Sequence, residues 1–217
     1  MHRGTAPSGF TLIELTIVLA VIVTLALVLT PSIANIIQDS RVARANSDCK
    51  QIANAVVQFY KDTGFFPQWA RTLDGGPGEA ADRLTLVVGP GNTPQGRLTD
   101  PALQGWLVQP AERGVGSLAD QLMSNGIGYL MRSPSVPLGW NGPYLSSPIG
   151  ADPWNNRYMA NVGLLDTSQG VQTASGAVKS AVWVISAGPD GVLQTPFNLP
   201  VTRVQTQLGD DIGFRIQ

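Results

Sequence analysis

The sequence predicts an α+β protein in which a long N-terminal helix carries a small antiparallel β-sheet head. An almost unbroken apolar run from Phe10 to Thr30 predicts the start of the helix, and short β-rich segments in the last third predict the sheet. A run of about 20 apolar residues is long enough to cross a bilayer as a helix. The remaining length suits one further domain. We therefore expect a transmembrane helix at 10–30, its amphipathic continuation at 31–62, and a globular head at 63–217.

Glu14 is the only ionisable residue between Phe10 and Thr30. A charged side chain inside a membrane-spanning helix is unfavourable, by roughly 2.5 kcal/mol or more near the centre of the bilayer. An acid in this position needs a partner, and we expect to find that partner in an assembly. Pro31 follows the run, and because it lacks an N–H it either kinks the helix or marks the exit from the membrane.

The helix is expected to continue beyond the membrane. Apolar residues recur there at intervals of three and four, which is the pattern of one face of an amphipathic helix. This apolar stripe consists of Val42, Ala45, Cys49, Ile52, Val56 and Phe59. Cys49, the only cysteine, is therefore expected to be buried and unreactive, and it leaves no internal disulfide possible. Gly64 is the expected C-terminal cap of the helix.

The segments that follow are less regular. Residues 74–101 carry glycine or proline ten times, and we interpret them as an irregular surface segment with one short strand at 84–88. Residues 117–131 predict a short helix capped by Ser117. Strands are predicted at Tyr158–Val162, Ala181–Ser186 and Ile212–Ile216, and these would form a small antiparallel sheet packed on the helix.

Aromatic and turn residues precede the first of these strands. Asp152-Pro153 suits the first two positions of a type I turn, and an asparagine after it can adopt a left-handed conformation. Trp140 and Trp154 are interpreted as anchors of the hydrophobic core. The alternative is that one of them stacks against a bound carbohydrate.

Composition excludes several classes of function. The only histidine is His2, so a chain without its first nine residues has neither a Ser-His or Cys-His pair nor a histidine-ligated zinc. The net charge of −1 gives no strong attraction for nucleic acid. The sequence contains no glycine-rich phosphate loop of the P-loop type. We therefore expect a protein that is not an enzyme and does not bind nucleic acid.

Residues 1–9 form an unusual leader. They include Arg3 and end in Ser8-Gly9, but they have no apolar region of their own, whereas a secretory signal carries its apolar region before the cleavage site. Glycine, phenylalanine and glutamate at positions 9, 10 and 14 resemble the leader of type IV prepilins, which type IV pilins share with the pseudopilins of type II secretion. The residues alone leave an uncut signal anchor as the alternative.

The resemblance implies how the chain is processed and assembled. A prepilin peptidase would cut between Gly9 and Phe10 and methylate the new amino terminus, and Glu14 would then pair with the amino terminus of a neighbouring subunit. Pro31 stands where pilins commonly carry a proline, and in their filaments the helix often loosens just before it. The implied fold is the pilin-like lollipop.

Later segments are similar to those of the major pseudopilin of type II secretion systems, in the same order along the chain. They are Phe59–Pro67, Gly142–Tyr144, Asp152–Trp154, Gly188–Gly191 and Gly209–Ile212. The sequence departs from that family in two ways. It carries an insertion at about 70–135, and Asn155 and Arg157 stand where the family tends to have glycine and proline.

The resemblance implies a structural filament subunit in the inner membrane, with a single membrane pass and a periplasmic head. The implied partners are further copies of the chain, the prepilin peptidase, an inner-membrane assembly platform and minor pseudopilins. Two alternatives remain open. One is a type IV pilin for adhesion, motility or DNA uptake. The other is a membrane-anchored binding protein, in which Glu79, Asp82 or Glu112 could provide carboxylate chemistry.

A calcium site is also implied, because major pseudopilins bind calcium in a loop near the carboxyl end. The matching acids are Asp190, Asp210 and Asp211. Calcium takes six to eight oxygen ligands, so three acids would supply only part of its shell. The alternative is a turn aspartate and a solvated acidic pair.

Overall fold

The computed structural model describes residues 9–64, 67, 86–96, 103, 106, 118–126, 128–162, 171–173, 176–178, 181–197, 199 and 208–216. Helix α1 (Leu12–Thr63) begins two residues later than the expected Phe10. At 52 residues it would be about 78 Å long with an ideal rise. The chain divides into two compact units, Met1–Arg41 and Val42–Gln217.

The first unit contains the apolar part of α1, in which every residue from 11 to 30 is exposed. Its threonine hydroxyls are paired inside the helix, with Thr16, Thr24 and Thr30 donating to main-chain carbonyls three or four residues earlier at 2.7–2.9 Å. Pairing of this kind hides a hydroxyl from apolar surroundings. Within the described residues, α1 is the helix that is long and apolar enough to cross a membrane. The predicted membrane-spanning segment is thus confirmed in length and composition.

The second unit contains the rest of α1, and the predicted apolar stripe is confirmed there. Ala45, Cys49, Ile52, Val56 and Phe59 are each fully buried, while Val42 at the edge of the unit is half-buried. The helix ends at Thr63. Gly64 follows with a φ of +79° and donates its N–H to the carbonyl of Tyr60 at 2.8 Å. The left-handed conformation favours glycine, so the predicted cap is also confirmed.

The core sheet has four antiparallel strands within the described residues. They are β1 (Leu86–Val88), β3 (Tyr158–Ala160), β6 (Trp183–Ser186) and β8 (Ile212–Arg215), in the spatial order β1-β3-β6-β8. All four strands lie in segments that the sequence predicts as strands. The central strands β3 and β6 are buried along their whole length. The register places Met159 opposite Ile185 and Val184 opposite Phe214.

Two further strand pairs were not predicted. Strand β2 (Gln95–Gly96) pairs in parallel with β7 (Val192–Leu193), and β4 (Val171–Thr173) pairs with β5 (Gly176–Val178) in an antiparallel hairpin. Helix α2 (Leu118–Met123) confirms the predicted helix but is shorter, since Asn125 has a φ of +53° just beyond its end. Its expected cap, Ser117, lies outside the described residues.

The insertion contributes to the core through Val88, in the strand predicted at 84–88, and through two residues that follow the surface segment predicted at 74–101. Val88 and Trp106 are fully buried and Leu103 is nearly so. The indole Nε1 of Trp106 donates to the carbonyl of Thr195 at 2.8 Å, and its ring makes an edge-to-face contact with Phe197. A buried tryptophan is a large apolar anchor, and it fixes this part of the insertion to the head.

The turn before β3 forms as predicted. Asn155 donates its N–H to the carbonyl of Asp152 at 2.9 Å and has a φ of +68°. Trp140 is buried, and its Nε1 donates to the carbonyl of Gln121 at 2.9 Å, which confirms its role as a core anchor. Trp154 is half-buried.

Candidate functional site

The predicted cleavage peptide lies just before α1. Gly9 and Phe10 are both exposed and outside the helix, and Phe10 is 87 % exposed. A Cβ added at Gly9 would meet no atom within 4 Å. The peptide is therefore accessible, and the packing of this chain does not by itself require glycine at position 9.

Glu14 forms a reciprocal pair with Thr11 at the start of α1. The Thr11 hydroxyl accepts the N–H of Glu14, and Glu14 Oε2 accepts the N–H and the hydroxyl of Thr11, each at 3.3 Å. This is a capping box, which satisfies donors at a helix N-terminus that have no partner within the helix. The threonine-to-glutamate spacing is visible in the sequence, but sequence reasoning missed it because Glu14 was considered only as a buried charge.

The capping box gives Glu14 a partner inside its own chain. Its contacts are long, since a typical N–H···O hydrogen bond measures about 2.9–3.0 Å, and Glu14 remains exposed. The carboxylate is therefore held weakly and stays accessible to a stronger donor. Pro31, the other expected assembly residue, lies inside α1, which runs through it from Leu12 to Thr63.

The exposed side chains of the first unit form one extended apolar surface. Phe10, Leu12, Leu27 and Val28 are all more than two-thirds exposed. Contiguous apolar surface of this extent marks an interaction with a membrane or with other proteins. Glu14 thus lies at one end of an exposed apolar surface of the kind that a membrane or another protein buries.

The candidate calcium acids lie on neighbouring segments of the head. The N–H of Asp190 donates to Asp210 Oδ2 at 3.2 Å. Asp190 itself accepts from two donors, the N–H of Val192 at 2.7 Å and the amide Nε2 of Gln194 at 2.9 Å. Both carboxylate oxygens of Asp190 therefore already have N–H donors.

Asp211 is the buried member of the group, with 3 % of its surface exposed. Its Oδ2 accepts the N–H groups of Gln194 and Thr195 at 2.8 and 2.6 Å, and its Oδ1 has no hydrogen-bond partner among the described residues. Burial raises the pKa of Asp211 from 3.8 to about 6, an effect that the hydrogen bonds from Thr195 and Gln194 partly offset. The unpartnered oxygen is the feature of this loop that best suits a cation.

The described residues as a set do not fit a calcium cage. Calcium needs six to eight oxygens directed at one point. In the described part of the chain, no group of three or more Asp, Glu, His or Cys side chains is arranged to hold a metal ion. Both oxygens of Asp190 and the Oδ2 of Asp211 instead accept N–H donors, and among these four oxygens only Asp211 Oδ1 lacks a partner in the described part of the chain. Residues 198 and 200–207, in the segment that joins these acids, lie outside the described residues.

A further acid, Asp152, which the sequence places in the turn before β3, supports the segment that carries Asp190. Asp152 Oδ1 accepts the N–H groups of Trp154 and Asn156, while its Oδ2 accepts the hydroxyl of Ser186 at 2.6 Å. The Ser186 hydroxyl in turn accepts the N–H of Gly188 at 3.1 Å. Asp152 therefore connects the turn before β3 to residues 188–194 and 208–211, which contain Asp190, Asp210 and Asp211 and are here called the acidic loop. No pattern in the sequence links these distant residues.

The helix contributes a further polar contact to the head. The hydroxyl of Tyr158 donates to Asp48 Oδ2 at 2.8 Å, and Arg44 lies 3.6 Å from the same oxygen. Burial, and then the hydrogen bond to Asp48, raise the pKa of Tyr158. Burial is also the main cause that raises the pKa of the Cys49 thiol far above its ordinary range. The Tyr158 hydroxyl and the Cys49 thiol therefore stay neutral at ordinary pH, and we assign both a structural role.

The carboxylates proposed for chemistry in the anchored-binder alternative, Glu79, Asp82 and Glu112, lie outside the described residues. Comparisons of the chain with models of protein families, with curated proteins and with solved structures give no match. The case for a function therefore depends on the chain's own residues.

Proposed function

We propose that this chain is the structural subunit of a type IV pilus-like filament, in particular the major pseudopilin of a type II protein secretion system. The observation that carries the proposal is the exposed apolar half of α1, which has one acid near its start. Such a surface is stable in a bilayer or packed against copies of itself, because burial returns about 25 cal/mol per Å² of apolar area. The subunit would be stored in the inner membrane and polymerise through this helix, with its head in the periplasm.

Glu14 has a specific role in this proposal. Cleavage after Gly9 creates an amino terminus four residues before Glu14, and the corresponding amine of an adjacent copy is the natural partner for a carboxylate in an apolar core. A buried ion pair of this kind fixes register more than it adds stability. The weak capping contacts to Thr11, at 3.3 Å, would be exchanged for the stronger charged partner during assembly.

Processing and assembly are tested together on the protein purified from its own cells. Mass spectrometry is expected to find a chain that begins at a methylated Phe10, and electron microscopy of sheared surface material is expected to find filaments that contain it. Retention of residues 1–9 together with a monomeric membrane protein would favour the anchored binding protein. Surface filaments whose loss leaves secretion intact would favour the type IV pilin.

Position 9 provides a sharp test of the peptidase. Because a side chain at Gly9 meets nothing in the structure, Gly9→Val is expected to leave the fold unchanged and to block cleavage. The matched control is Gly150→Ala. Gly150 belongs to the head, and a Cβ there would meet only the tip of the Arg44 side chain at 3.9 Å, so this variant should fold and be cleaved like the unaltered chain. Normal cleavage of Gly9→Val would contradict processing by a prepilin peptidase.

A further inference from the structure

We propose that the acidic loop of this head is held in place by Gln194 and by the inserted strand β2, which together take the role that calcium has in major pseudopilins. The inference depends on the proposed function only for the expectation of calcium. Its test measures the stability of the head and does not involve filaments. The loop proposal can therefore fail while the filament proposal stands, and the filament proposal can fail while the loop proposal stands.

Gln194 is the central residue of this arrangement. Its amide Nε2 donates to Asp190 Oδ2 at 2.9 Å, and its main-chain N–H donates to Asp211 Oδ2 at 2.8 Å. One residue thereby joins two acids that are 21 positions apart in the sequence. An N–H donor, like a cation, presents positive charge to a carboxylate oxygen, so Gln194 satisfies lone pairs that a bound calcium would use.

The side chain of Gln194 packs directly against the main chain of Gly209. Gly209 has a φ of +66°, and a Cβ added there would overlap the Oε1 of Gln194. A larger residue at position 209 would displace the amide from Asp190. Gly188 is constrained in the same way, because a Cβ there would overlap the carbonyl oxygen of Asp210. Gln194 can approach position 209, and the main chain at Asp210 can approach position 188, only because both positions are glycine.

The insertion holds the other side of the loop. The N–H of Gln95 in β2 donates to the carbonyl of Gly191 at 2.8 Å, and β2 then pairs with Val192–Leu193. The amide of Asn156 donates to the carbonyl of Gly188 at 3.3 Å. The main chain on both sides of Asp190 is therefore fixed by hydrogen bonds from other segments, and the segment bound to Gly191 belongs to the insertion.

Arg157 attaches the same part of the insertion to the sheet. Its main-chain N–H donates to the carbonyl of Asn92 at 2.9 Å, and its Nε donates to the carbonyl of Gly91 at 2.6 Å. A proline, which the resembling family tends to have at this position, has no N–H and could make neither bond. Arg157 and the insertion therefore form one structural unit, which accounts for two departures from the family pattern at once.

The test uses full-length protein in detergent and measures thermal unfolding by tryptophan fluorescence, since all five tryptophans follow residue 67. Calcium in about 100-fold excess over the Kd of a site would raise the Tm of a chain of this size by roughly 5–11 °C. We expect the Tm to be the same in calcium and in a chelator. A calcium-dependent rise of that size, lost in Asp190→Asn, would overturn the proposal.

Gln194→Ala is expected to lower the Tm by roughly 3–12 °C, because one hydrogen bond to a charged group is lost. The matched control is Gln51→Ala, which removes an exposed glutamine whose amide donates to Ser47 and is expected to leave the Tm unchanged. Arg157→Pro is expected to lower the Tm more than Arg157→Ala, which keeps the N–H donated to Asn92. An unchanged Tm in Gln194→Ala would contradict the proposal.

If these variants fail to fold, hydrogen exchange in the unaltered protein tests whether calcium orders the acidic loop. The N–H groups of Val192 and Gln194 donate to the acids of the loop, so they report its order directly. In the unaltered protein we expect both to exchange equally slowly in calcium and in chelator. Slower exchange in calcium would mean that the ion orders the loop, and the proposal would then be wrong.

Discussion

Substitutions at Glu14 can separate its two roles, capping the helix and providing a charge. Glu14→Gln keeps an oxygen that accepts the N–H of Thr11, and glutamine serves the same position of a capping box as glutamate. It removes the negative charge. Thr11→Ala does the opposite, since it removes the hydroxyl that accepts the N–H of Glu14 and keeps the charge. If the charge drives assembly, these two variants should differ sharply.

The expected magnitudes differ by several kcal/mol. Loss of a helix cap destabilises by about 0.5–2 kcal/mol, and the long, exposed contacts of 3.3 Å place this cap at the lower end. Removal of one partner of a buried ion pair destabilises by about 3–5 kcal/mol, because the other charge is left without compensation. At about 1.4 kcal/mol per tenfold change, Glu14→Gln should weaken subunit association by roughly two to four orders of magnitude, and Thr11→Ala by about tenfold or less.

The assay compares polymerised and membrane-held protein in cells that express each variant at the same level. Sheared filaments are collected by sedimentation, and the membrane fraction is measured in parallel. Glu14→Gln and Glu14→Ala are expected to insert normally and to yield almost no filaments, while Thr11→Ala polymerises. Filaments of normal yield and regular appearance from Glu14→Gln would refute the charge-pairing role. If Thr11→Ala then lost its filaments, the effect would be assigned to capping.

Three further outcomes concern the head. Asn161 is fully buried, and its side chain makes three hydrogen bonds, donating to the carbonyls of Ala181 and Phe197 and accepting the N–H of Trp183. Asn161→Ala should therefore destabilise by about 3 kcal/mol or more in chemical denaturation. Cys49 should resist thiol reagents in the native protein and react fully once the protein is unfolded, because burial raises the pKa of its thiol. Rapid labelling of Cys49 in the native protein would contradict its burial. Burial raises the pKa of Asp211 from 3.8 to about 6, so the folded state binds a proton on this carboxyl more tightly than the unfolded state does. The free energy of unfolding should therefore fall as pH rises from about 4 to about 6. Asp211→Asn should remove that fall.

Features that depend on a local pattern of residues could be predicted from the sequence, and the structure agrees with these predictions. The stripe from Ala45 to Phe59 is buried because its spacing matches the helix period. The four strands of the sheet were visible as short runs of β-branched and aromatic residues. The Asp152 turn followed from the preferences of aspartate, proline and asparagine. In each case the information lies within a few neighbouring residues.

The remaining features depend on contacts between distant segments. Strands β2 and β7 have two residues each and pair in parallel across almost a hundred positions, which no local pattern records. The burial of Trp106 depends on Thr195 and Phe197. Gln194 looked like an ordinary loop residue, because its importance arises only when Asp190 and Asp211 are brought together. The acids of the candidate site could be named from the sequence, but their donors could not.

The two parts of α1 differ in what buries them, and this difference bears on how a subunit could leave a membrane. From Ala45 onward the apolar stripe is buried within the second unit, so the head has its own core. The side chains from Phe10 to Val28 are helical or directly before the helix, and they are exposed. In the proposed filament, moving them from lipid to neighbouring helices would replace one apolar environment with another and would require no refolding of the head. Glu14 alone would change partner, and it would give up only the long contacts of its capping box. Capping before assembly and ion pairing after it would then be successive states of one carboxylate.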